Sequence, residues 1–496
     1  MTLHSHTGWT RRARTPGVAA LFLALVLWAA PATAVMAAES APPNVVMFFI
    51  DTLRADHVGC YGYKRETSPS LDALAVRGTL FENAISQSSW SLPSYASAFT
   101  SLYSSAHHVD EKNQRLSPSL TTLASIFSSN GYDTAAFVGG SHLSAIFGLD
   151  NGFGVYSDRP HFGSLFNTVP SAVQWLKGRK KKPFFLLVQG YDAHIPYQVP
   201  LGFAEMWDPG YRGMIHDLDV LKFKNVHRIA DGVFYYPTGP DGGKAASEES
   251  AAHDSMDPVV PVSAPIASVA LAPADHRHIV AHYDGAVSYA DTWLGYFLER
   301  LEAQGLADDT VVMVAGDHGE ALGEQGYYRH RWDLYESQIH VPLVLAGPGI
   351  AAGRHIPDMV ELIDLAPTLL ELCRIPPFHG HQGRSLERYL AAGQTPPRDA
   401  TRMAFSTLSN CLSVRTERWH LMRWTDNTVL ESRGLYDITT DPTEQHNLAR
   451  GQPAVCRELE AALADWEERT FRPMPETGKA ALTAEEQEMF KAGGYW

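Results

Sequence analysis

The chain has 496 residues, of which 45% are apolar and 19% charged, and its formal net charge is −15. At roughly 100–200 residues per domain, this length fits either a few domains or one large α/β domain with a smaller appended part. The apolar fraction excludes a disordered, collagen-like or coiled-coil chain, and the acidic balance argues against a nucleic-acid partner.

The N-terminal segment has the pattern of a secretory signal. Residues 11–14 carry three arginines, residues 18–30 are apolar, and residues 32–34 offer a small-residue cleavage site. The apolar run is shorter than the ~20 residues that span a bilayer. We therefore predict a signal peptide at residues 1–38 and an exported, periplasmic or secreted protein with no stable membrane span after cleavage.

Short apolar runs rich in β-branched and aromatic residues predict buried strands. They are residues 44–50, 183–188, 310–315 and 341–346. Helical patterns separate them, at residues 70–77, 119–129 and 283–304. This alternation predicts an α/β fold with a large mixed, mostly parallel central sheet and helices on both faces. Ligands of such sheets bind beyond the carboxyl ends of the strands.

Two later segments break this pattern. Residues from about 208 to 275 have a centre rich in Gly, Pro, Ser and Ala, which indicates a long, flexible or lid-like insertion. Beyond about residue 403, short polar-aromatic strands precede a helix at 453–468, which indicates a small C-terminal α+β subdomain. We predict a main domain over 42–400 and the subdomain over 401–496.

The cysteines leave two interpretations open. Cys60, Cys373, Cys411 and Cys456 match no zinc-binding spacing. A disulfide between the last two is compatible with an exported chain, and so are four small buried side chains.

Acidic residues after two of the predicted strands indicate a metal site. Asp51 follows the first strand in DTLRAD, and Asp317 and His318 follow another in GDHGE. Either motif alone also fits a helix N-cap. Together they can bring two carboxylates and one imidazole to a single divalent cation, a ligand set that suits Ca²⁺, Mg²⁺ or Mn²⁺ and also Zn²⁺.

A serine and three histidines are candidate catalytic residues. Ser91 lies in WSLPSY before a helical run, where a neighbouring cation and the helix N-terminus would activate its hydroxyl as a nucleophile. Ser94, in the same segment, is a candidate helix cap. His194 in YDAHIPY and His142 in GGSHL are candidates to protonate a leaving group or to donate to an oxyanion. His330 follows in YYRHRWDLYE.

Taken in order, these segments resemble the sulfatase family of the alkaline-phosphatase superfamily. The matching segments include NVVMFFIDTLRADHVGCYGY, WSLPSYASAFTSLY, GYDTAAFVGGSHL, YDAHIPY, GDHGEALGEQG and LYDITTDPTEQHNLA. The resemblance covers nearly the whole mature chain, and EEQEMFKAGGY resembles a closing helix. It implies a sulfatase-like catalytic domain over residues 42–400.

The resemblance also implies roles for individual residues. Asp51, Asp317 and His318 correspond to metal ligands for one divalent ion, with Ca²⁺ the first expectation and Mg²⁺, Mn²⁺ or Zn²⁺ the alternatives. Ser91 takes the position of the family's formylglycine, a residue made from Cys or Ser by a maturation enzyme. The remaining candidates correspond to substrate-binding and leaving-group histidines, namely His142, His194 and His330.

Several positions depart from the family pattern. They are Ser91 in place of Cys, Tyr95 in place of Arg, Thr52 in place of a second Asp, Gly140 in place of Lys, and Arg331 in place of Gly. The maturation signature is therefore broken, and conversion of Ser91 to formylglycine stays open. An unmodified serine favours phosphoryl chemistry, because phosphoserine can be hydrolysed or can transfer its group to an acceptor.

We expect a metal-dependent sulfatase-like hydrolase that cleaves a sulfate ester by in-line attack from residue 91. The alternative is a phosphodiesterase, phosphonate-ester hydrolase or phosphotransferase that uses unmodified Ser91, and a non-catalytic binding protein is a third hypothesis. The expected substrate is a small-molecule or glycan ester of sulfate or phosphate. The sequence does not indicate an oligomeric state.

Overall fold

A computed structural model describes residues 41–487, except 180–181, 198, 201, 204, 214, 216–226, 229–233, 238–267, 332, 394–396, 426–431, 474–478 and 485. The predicted signal peptide, most of the predicted insertion and most of the predicted closing helix lie outside the described residues.

The strands of the described residues are Asn44–Ile50 (β1), Thr79–Ile85 (β2), Asp133–Phe137 (β3), Val155–Ser157 (β4), Phe184–Gly190 (β5), His227–Arg228 (β6), Phe234–Pro237 (β7), Ser268–Ala270 (β8), Thr310–Gly316 (β9), Ala321–Leu322 (β10), Tyr328–Arg329 (β11), His340–Ala346 (β12), Arg354–Glu361 (β13), Ala404–Leu408 (β14), Cys411–Arg415 (β15), Trp419–Trp424 (β16) and Arg433–Asp437 (β17). The α-helices are Pro69–Arg77 (α1), Ser91–Thr100 (α2), Ser104–His107 (α3), Leu123–Ser129 (α4), Leu165–Leu176 (α5), Pro273–Ala303 (α6), Glu336–Ile339 (α7), Leu365–Leu372 (α8), Glu387–Leu390 (α9) and Pro453–Thr470 (α10).

Eight of the described strands form the central sheet, in the order β13-β2-β12-β9-β1-β5-β3-β4. Strand β12 runs antiparallel to both of its neighbours, and the other neighbouring pairs are parallel. The predicted mixed, mostly parallel sheet is confirmed. The run at 341–346 is the antiparallel member.

The apolar run of β1 divides its side chains between two hydrophobic cores. Val45, Met47 and Phe49 face the core that includes α2, α4 and α8. Val46 and Phe48 face the core that includes α1, α5 and α6. Side chains alternate along a strand, so a strand covered on both faces is apolar at every position. Helices therefore cover both faces of the sheet, as predicted.

Two helices begin earlier than their sequence patterns indicated. Helix α2 begins at Ser91 rather than after Tyr95. Pro93 fits its first turn because an N–H there has no partner within the helix. Helix α6 begins at Pro273 instead of 283, and the carboxylate of Asp275 accepts from the backbone N of Ala272 at 2.8 Å to cap it.

The C-terminal part contains a four-stranded antiparallel sheet in the order β14-β15-β16-β17. Helix α10 packs on it through a core that includes Phe405, Leu463 and Trp466, and the rings of Phe405 and Trp466 stack with centroids 5.0 Å apart. This confirms a small C-terminal α+β arrangement.

The cysteine side chains support the second of the two interpretations. None of the four takes part in a disulfide, and Cys373, Cys411 and Cys456 are buried. None of the helices in the described part of the chain has the length and apolar character that crossing a membrane requires.

Candidate active site

Two neighbouring parallel strands carry the acidic residues to one point. Strands β1 and β9 pair with Ile50 opposite Gly316, so Asp51 and Asp317 leave the sheet side by side. Asp51, Asp317 and His318 are fully buried, and one ligand atom from each lies within 4.8 Å of the others. The structure thus brings together all three of the metal-ligand candidates.

Backbone groups fix the orientation of these side chains. Thr52 and His318 donate their backbone N–H groups to Oδ1 of Asp317, at 3.1 and 3.0 Å. The imidazole Nδ1 of His318 lies 2.9 Å from the carbonyl oxygen of Gly319, to which it donates. Its Nε2 therefore carries the lone pair and lies 3.5 Å from Oδ2 of Asp317. This is the tautomer that a metal-binding imidazole requires.

The two carboxylates are poorly satisfied by the protein alone. Oδ1 of Asp51 and Oδ2 of Asp317 are buried without a hydrogen-bond partner in the described structure. Burial, followed by the charge of Asp317, raises the pKa of Asp51 well above its usual value, and burial raises that of Asp317. A divalent cation would offset both the repulsion and the lost hydration. The two carboxylates and the imidazole are therefore a suitable ligand set for one divalent metal ion.

Ser91 lies beside these three candidate metal ligands. Its Oγ is 3.2 Å from Oδ2 of Asp51 and 3.3 Å from Nε2 of His318. Ser91 is the first residue of α2, so the helix N-terminus favours negative charge at this position. Ser94 is not a helix cap, because its hydroxyl donates to the backbone oxygen of Asp317 at 2.6 Å.

The three candidate histidines line the same region. The ring of His330 lies 4.6 Å from that of His318 and 5.0 Å from that of His194, centroid to centroid. His142 packs edge-on against Trp90, the residue before Ser91, at 5.2 Å. Burial lowers the pKa of His142 and of His330 well below the usual value.

Sequence reasoning missed two buried polar residues of the site. Gln189, near the end of β5, donates from Nε2 to Oδ2 of Asp51 at 3.4 Å and accepts at Oε1 from the backbone N of Gly139. Glu320 is buried, lies 3.0 Å from Nδ1 of His330, and has a pKa raised by burial to about 8. The sequence signal that could have identified Gln189 is a polar residue near the end of an otherwise apolar strand.

Two arginines occupy different surroundings. The guanidinium of Arg331 lies 4.2 Å from the ring centroid of Trp90, the residue that precedes Ser91 in the chain. The guanidinium of Arg54, three residues after Asp51, forms ion pairs with Asp56 and Glu324.

Two departures from the family pattern have a structural explanation. Gly140 has φ +67°, and a Cβ there would lie 2.3 Å from the carbonyl oxygen of Asp158, so this backbone excludes a lysine. Thr52 has φ +55° and donates its hydroxyl to the carbonyl oxygen of Asp51 at 2.8 Å. Thr52 thus forms hydrogen bonds with Asp51 and Asp317, whereas a second aspartate at this position would add a negative charge.

Comparison with protein families identifies two matching models. The model described as Sulfatase matches residues 43–375, about two thirds of the chain. A second model, N-sulphoglucosamine sulphohydrolase, C-terminal, matches residues 323–469.

Individual relatives extend this likeness over most of the chain. Arylsulfatase K of Rattus norvegicus is 23% identical over 463 residues, which cover 85% of this chain and 77% of the relative. A solved structure of a protein in complex with its substrate D-glucosamine-2-N,6-O-disulfate has a TM-score of 0.69 at 18% identity and covers 86% of this chain and 98% of its own. Phosphonate monoester hydrolase of Agrobacterium radiobacter has a TM-score of 0.64 at 20% identity, over 86% of this chain and 96% of its own. The two structural likenesses establish a common fold.

Proposed function

The chain belongs to the sulfatase family, and we therefore propose that it is a metal-dependent hydrolase that cleaves a sulfate ester by attack from residue 91. The observation that carries this proposal is the position of the Ser91 hydroxyl, 3.2 Å from Asp51 and 3.3 Å from His318. A hydroxyl at a helix N-terminus, beside a set of metal ligands, is placed to act as a nucleophile.

Asp51, Asp317 and His318 would hold one divalent cation, for which we propose Ca²⁺. When bound, the cation would polarise the ester and lower the pKa of the attacking hydroxyl. Gln189 keeps the carboxylate of Asp51 in place through its 3.4 Å hydrogen bond. Elemental analysis of the purified protein would identify the cation, and Mg²⁺, Mn²⁺ or Zn²⁺ are the other outcomes.

The protein side chains would carry out attack and proton transfer. The oxygen of residue 91 forms a bond to sulfur while the bond from sulfur to the ester oxygen breaks. His194 gives a proton to that departing oxygen, which leaves as an alcohol, whereas His142, whose pKa is lowered by burial, donates a hydrogen bond to an oxygen of the sulfate group. His330 and the cationic Arg331 are positioned to bind the oxygens of the sulfate group. Sulfate then leaves residue 91 in one of two ways. From an unmodified serine, water attacks sulfur and Oγ leaves with a proton; from a formylglycine hydrate, the second hydroxyl loses its proton, the C–O bond to sulfate breaks, and water hydrates the resulting aldehyde.

We propose that the substrate is a sulfate ester of a sugar or another small molecule. A protein of the same fold has been solved with a disulfated glucosamine as its substrate. The histidines near Ser91 provide hydrogen-bonding groups of the kind that bind a sugar sulfate.

A second candidate function follows from the residues around the nucleophile. Position 91 is Ser, and Tyr95 replaces the arginine of the maturation signature, packing edge-on against Phe49 with centroids 5.1 Å apart. An unmodified serine suits hydrolysis or transfer of a phosphoryl or phosphonyl ester. The shared fold with a phosphonate monoester hydrolase is compatible with this chemistry.

We propose that the chain is exported. The arginines, apolar run and small residues of positions 11–38 have the order of a secretory signal. N-terminal sequencing of the protein recovered outside the cytoplasm would test this proposal. We further propose the boundary near residue 400 between the catalytic domain and the C-terminal subdomain.

Two measurements on one preparation test the proposed reaction. Aryl sulfate, aryl phosphodiester and aryl phosphonate monoester are assayed with Ca²⁺, Mg²⁺, Mn²⁺ or Zn²⁺. Peptide mass spectrometry of the segment that contains Ser91 shows whether a pair of hydrogens has been lost through formylglycine formation. Aryl sulfate as the best substrate supports the first proposal, whereas an unmodified serine with a phosphorus ester as the best substrate supports the second. Absence of turnover with every combination of substrate and metal ion would overturn both proposed reactions.

A further inference from the structure

Two histidines on α6 face each other outside the site described above. His278 and His282 are one helical turn apart. Their Nε2 atoms lie 3.1 Å from each other, and the ring planes are at 81°. Histidines at i and i+4 on one helical face are a recurring arrangement of metal ligands.

The ring of His278 is held in a defined orientation. Its Nδ1 lies 3.0 Å from Oδ2 of Asp208, to which it donates a hydrogen bond. The ring of Tyr211 stacks on one face of the His278 ring, with centroids 3.6 Å apart and an interplanar angle of 7°. Because the hydrogen on Nδ1 is donated to the carboxylate, the lone pair of His278 is on Nε2, which faces Nε2 of His282. A carboxylate behind an imidazole in this way is typical of metal-binding histidines, where it fixes the tautomer and raises the basicity.

The geometry of the pair matches two ligands of one ion. Nitrogen ligands lie about 2.0–2.1 Å from zinc, so two of them at the tetrahedral angle are about 3.3 Å apart. The observed separation of His278 Nε2 and His282 Nε2 is 3.1 Å. The side chain of Asp208 is 31% exposed and that of His278 is 13% exposed, so the pair lies close to solvent and water can complete the coordination.

We propose that His278 and His282 form a binding site for one borderline divalent cation, such as Zn²⁺, Co²⁺ or Ni²⁺, with Asp208 orienting the first of them. This site is separate from the group formed by Asp51, Asp317 and His318, and its two nitrogen ligands distinguish it from that carboxylate-rich group. Nitrogen ligands select such ions over Ca²⁺. The bound ion would also strengthen the attachment of Asp208 to α6.

Calorimetric titration with Zn²⁺ of the full-length protein in excess Ca²⁺ tests this inference, and the visible absorption of Co²⁺ provides a second reading. The variants are His278→Ala and His282→Ala. His446→Gln is the matched control, because His446 lies 3.4 Å from the carboxylate of Asp441 on the surface and its side chain is 81% exposed. We expect the wild type and the control to bind one more equivalent of Zn²⁺ than either alanine variant.

The variant Asp208→Asn tests the orienting role of the carboxylate while both proposed metal ligands are kept. Both imidazoles remain in this variant, so the stoichiometry should be unchanged while the affinity for Zn²⁺ falls by about 10–100-fold. Circular dichroism identifies any variant that fails to fold. Equal Zn²⁺ stoichiometry and affinity in the wild type and in folded His278→Ala and His282→Ala variants would overturn the proposal, and the pair would then be a hydrogen bond between two neutral rings.

Discussion

The hydroxyl of Ser91 donates to Oδ2 of Asp51 at 3.2 Å, although the two residues are 40 positions apart in the chain. One belongs to the start of α2 and the other to the loop after β1. This contact connects the proposed nucleophile to the proposed metal ligands. The group of proposed metal ligands depends on the strand order of the sheet, because Asp317 lies beside Asp51 only when β9 is next to β1.

Replacing a proposed metal ligand by its amide should separate the stability of the metal-free protein from its stabilisation by Ca²⁺. In Asp51→Asn, removal of one of two buried like charges should leave the metal-free protein at least as stable as the wild type. The free energy of unfolding of the wild type should rise by about 2.7 kcal/mol when Ca²⁺ is present at 100 times its dissociation constant, and that of the variant should rise far less. Thermal unfolding with EDTA and with Ca²⁺ measures both effects. A Ca²⁺ response in the variant equal to that of the wild type would remove Asp51 from the site.

The positive charge of Arg331 should affect substrate capture. Its guanidinium lies over the ring of Trp90 at 4.2 Å, and a positive charge near a binding site raises the local concentration of anions. We expect Arg331→Ala to raise KM for an anionic ester by about 5–50-fold with a smaller effect on kcat. The conservative Arg331→Lys should recover most of the loss. Kinetics at low and high salt provide the check, since the wild type should lose its advantage as salt is added. An unchanged KM at low salt would contradict this role.

A paired substitution tests whether the backbone excludes the family's lysine at position 140. Gly140 and Gly62 both have positive φ, +67° and +98°. A Cβ at Gly140 would meet the carbonyl oxygen of Asp158 at 2.3 Å, whereas a Cβ at Gly62 would meet no described atom within 4 Å. Gly62→Ala should cost about 1–2 kcal/mol of unfolding free energy through its backbone alone. Gly140→Ala should cost about 1–3 kcal/mol more. Equal losses in chemical denaturation would show that the loop yields to the clash.

The pH dependence of stability should report on Asp291. Its buried carboxylate accepts from the backbone N–H groups of Ser70 and Leu71 at 2.8 and 2.9 Å, and burial raises its pKa to about 6. Between the ordinary value near 4 and about 6, the folded state binds more protons than the unfolded state, so this residue's contribution to stability falls as pH rises.

We therefore expect the stability difference between the wild type and Asp291→Asn to move against the wild type by about 1–3 kcal/mol from pH 4.5 to 7. Urea unfolding of both proteins at each pH measures it, and other titrating groups cancel in the difference. A change in the opposite direction would mean that the two backbone hydrogen bonds outweigh burial.

The strands that carry the site were predictable from local sequence. The run at 44–50 is apolar at every position after Asn44 because both of its faces are covered, and its end is marked by Asp51. The same reasoning found β9 and therefore Asp317. Parallel strands place their carboxyl ends at one edge, which made a shared site predictable before any distance was known.

The rest depended on tertiary structure. An apolar run does not reveal its direction, so the antiparallel course of β12 was not visible in residues 341–346. The first turns of α6 are polar and carry little periodicity, which hid the helix start and the pairing of His278 with His282. The position of Gln189 beside Asp51, and of Arg331 over Trp90, follows from how distant segments pack.

The turnover of Ser91→Ala beside that of Ser89→Ala tests the central claim most directly. Ser89 is buried in the same segment, and its hydroxyl has no hydrogen-bond partner in the described structure, so it matches Ser91 in size and burial without its contacts. We predict that Ser91→Ala loses at least about 10³-fold in kcat/KM with its thermal midpoint nearly unchanged, and that Ser89→Ala stays within about threefold of the wild type. Hydrolysis by folded Ser91→Ala at a rate similar to that of the wild type would contradict the assignment of residue 91 as the nucleophile.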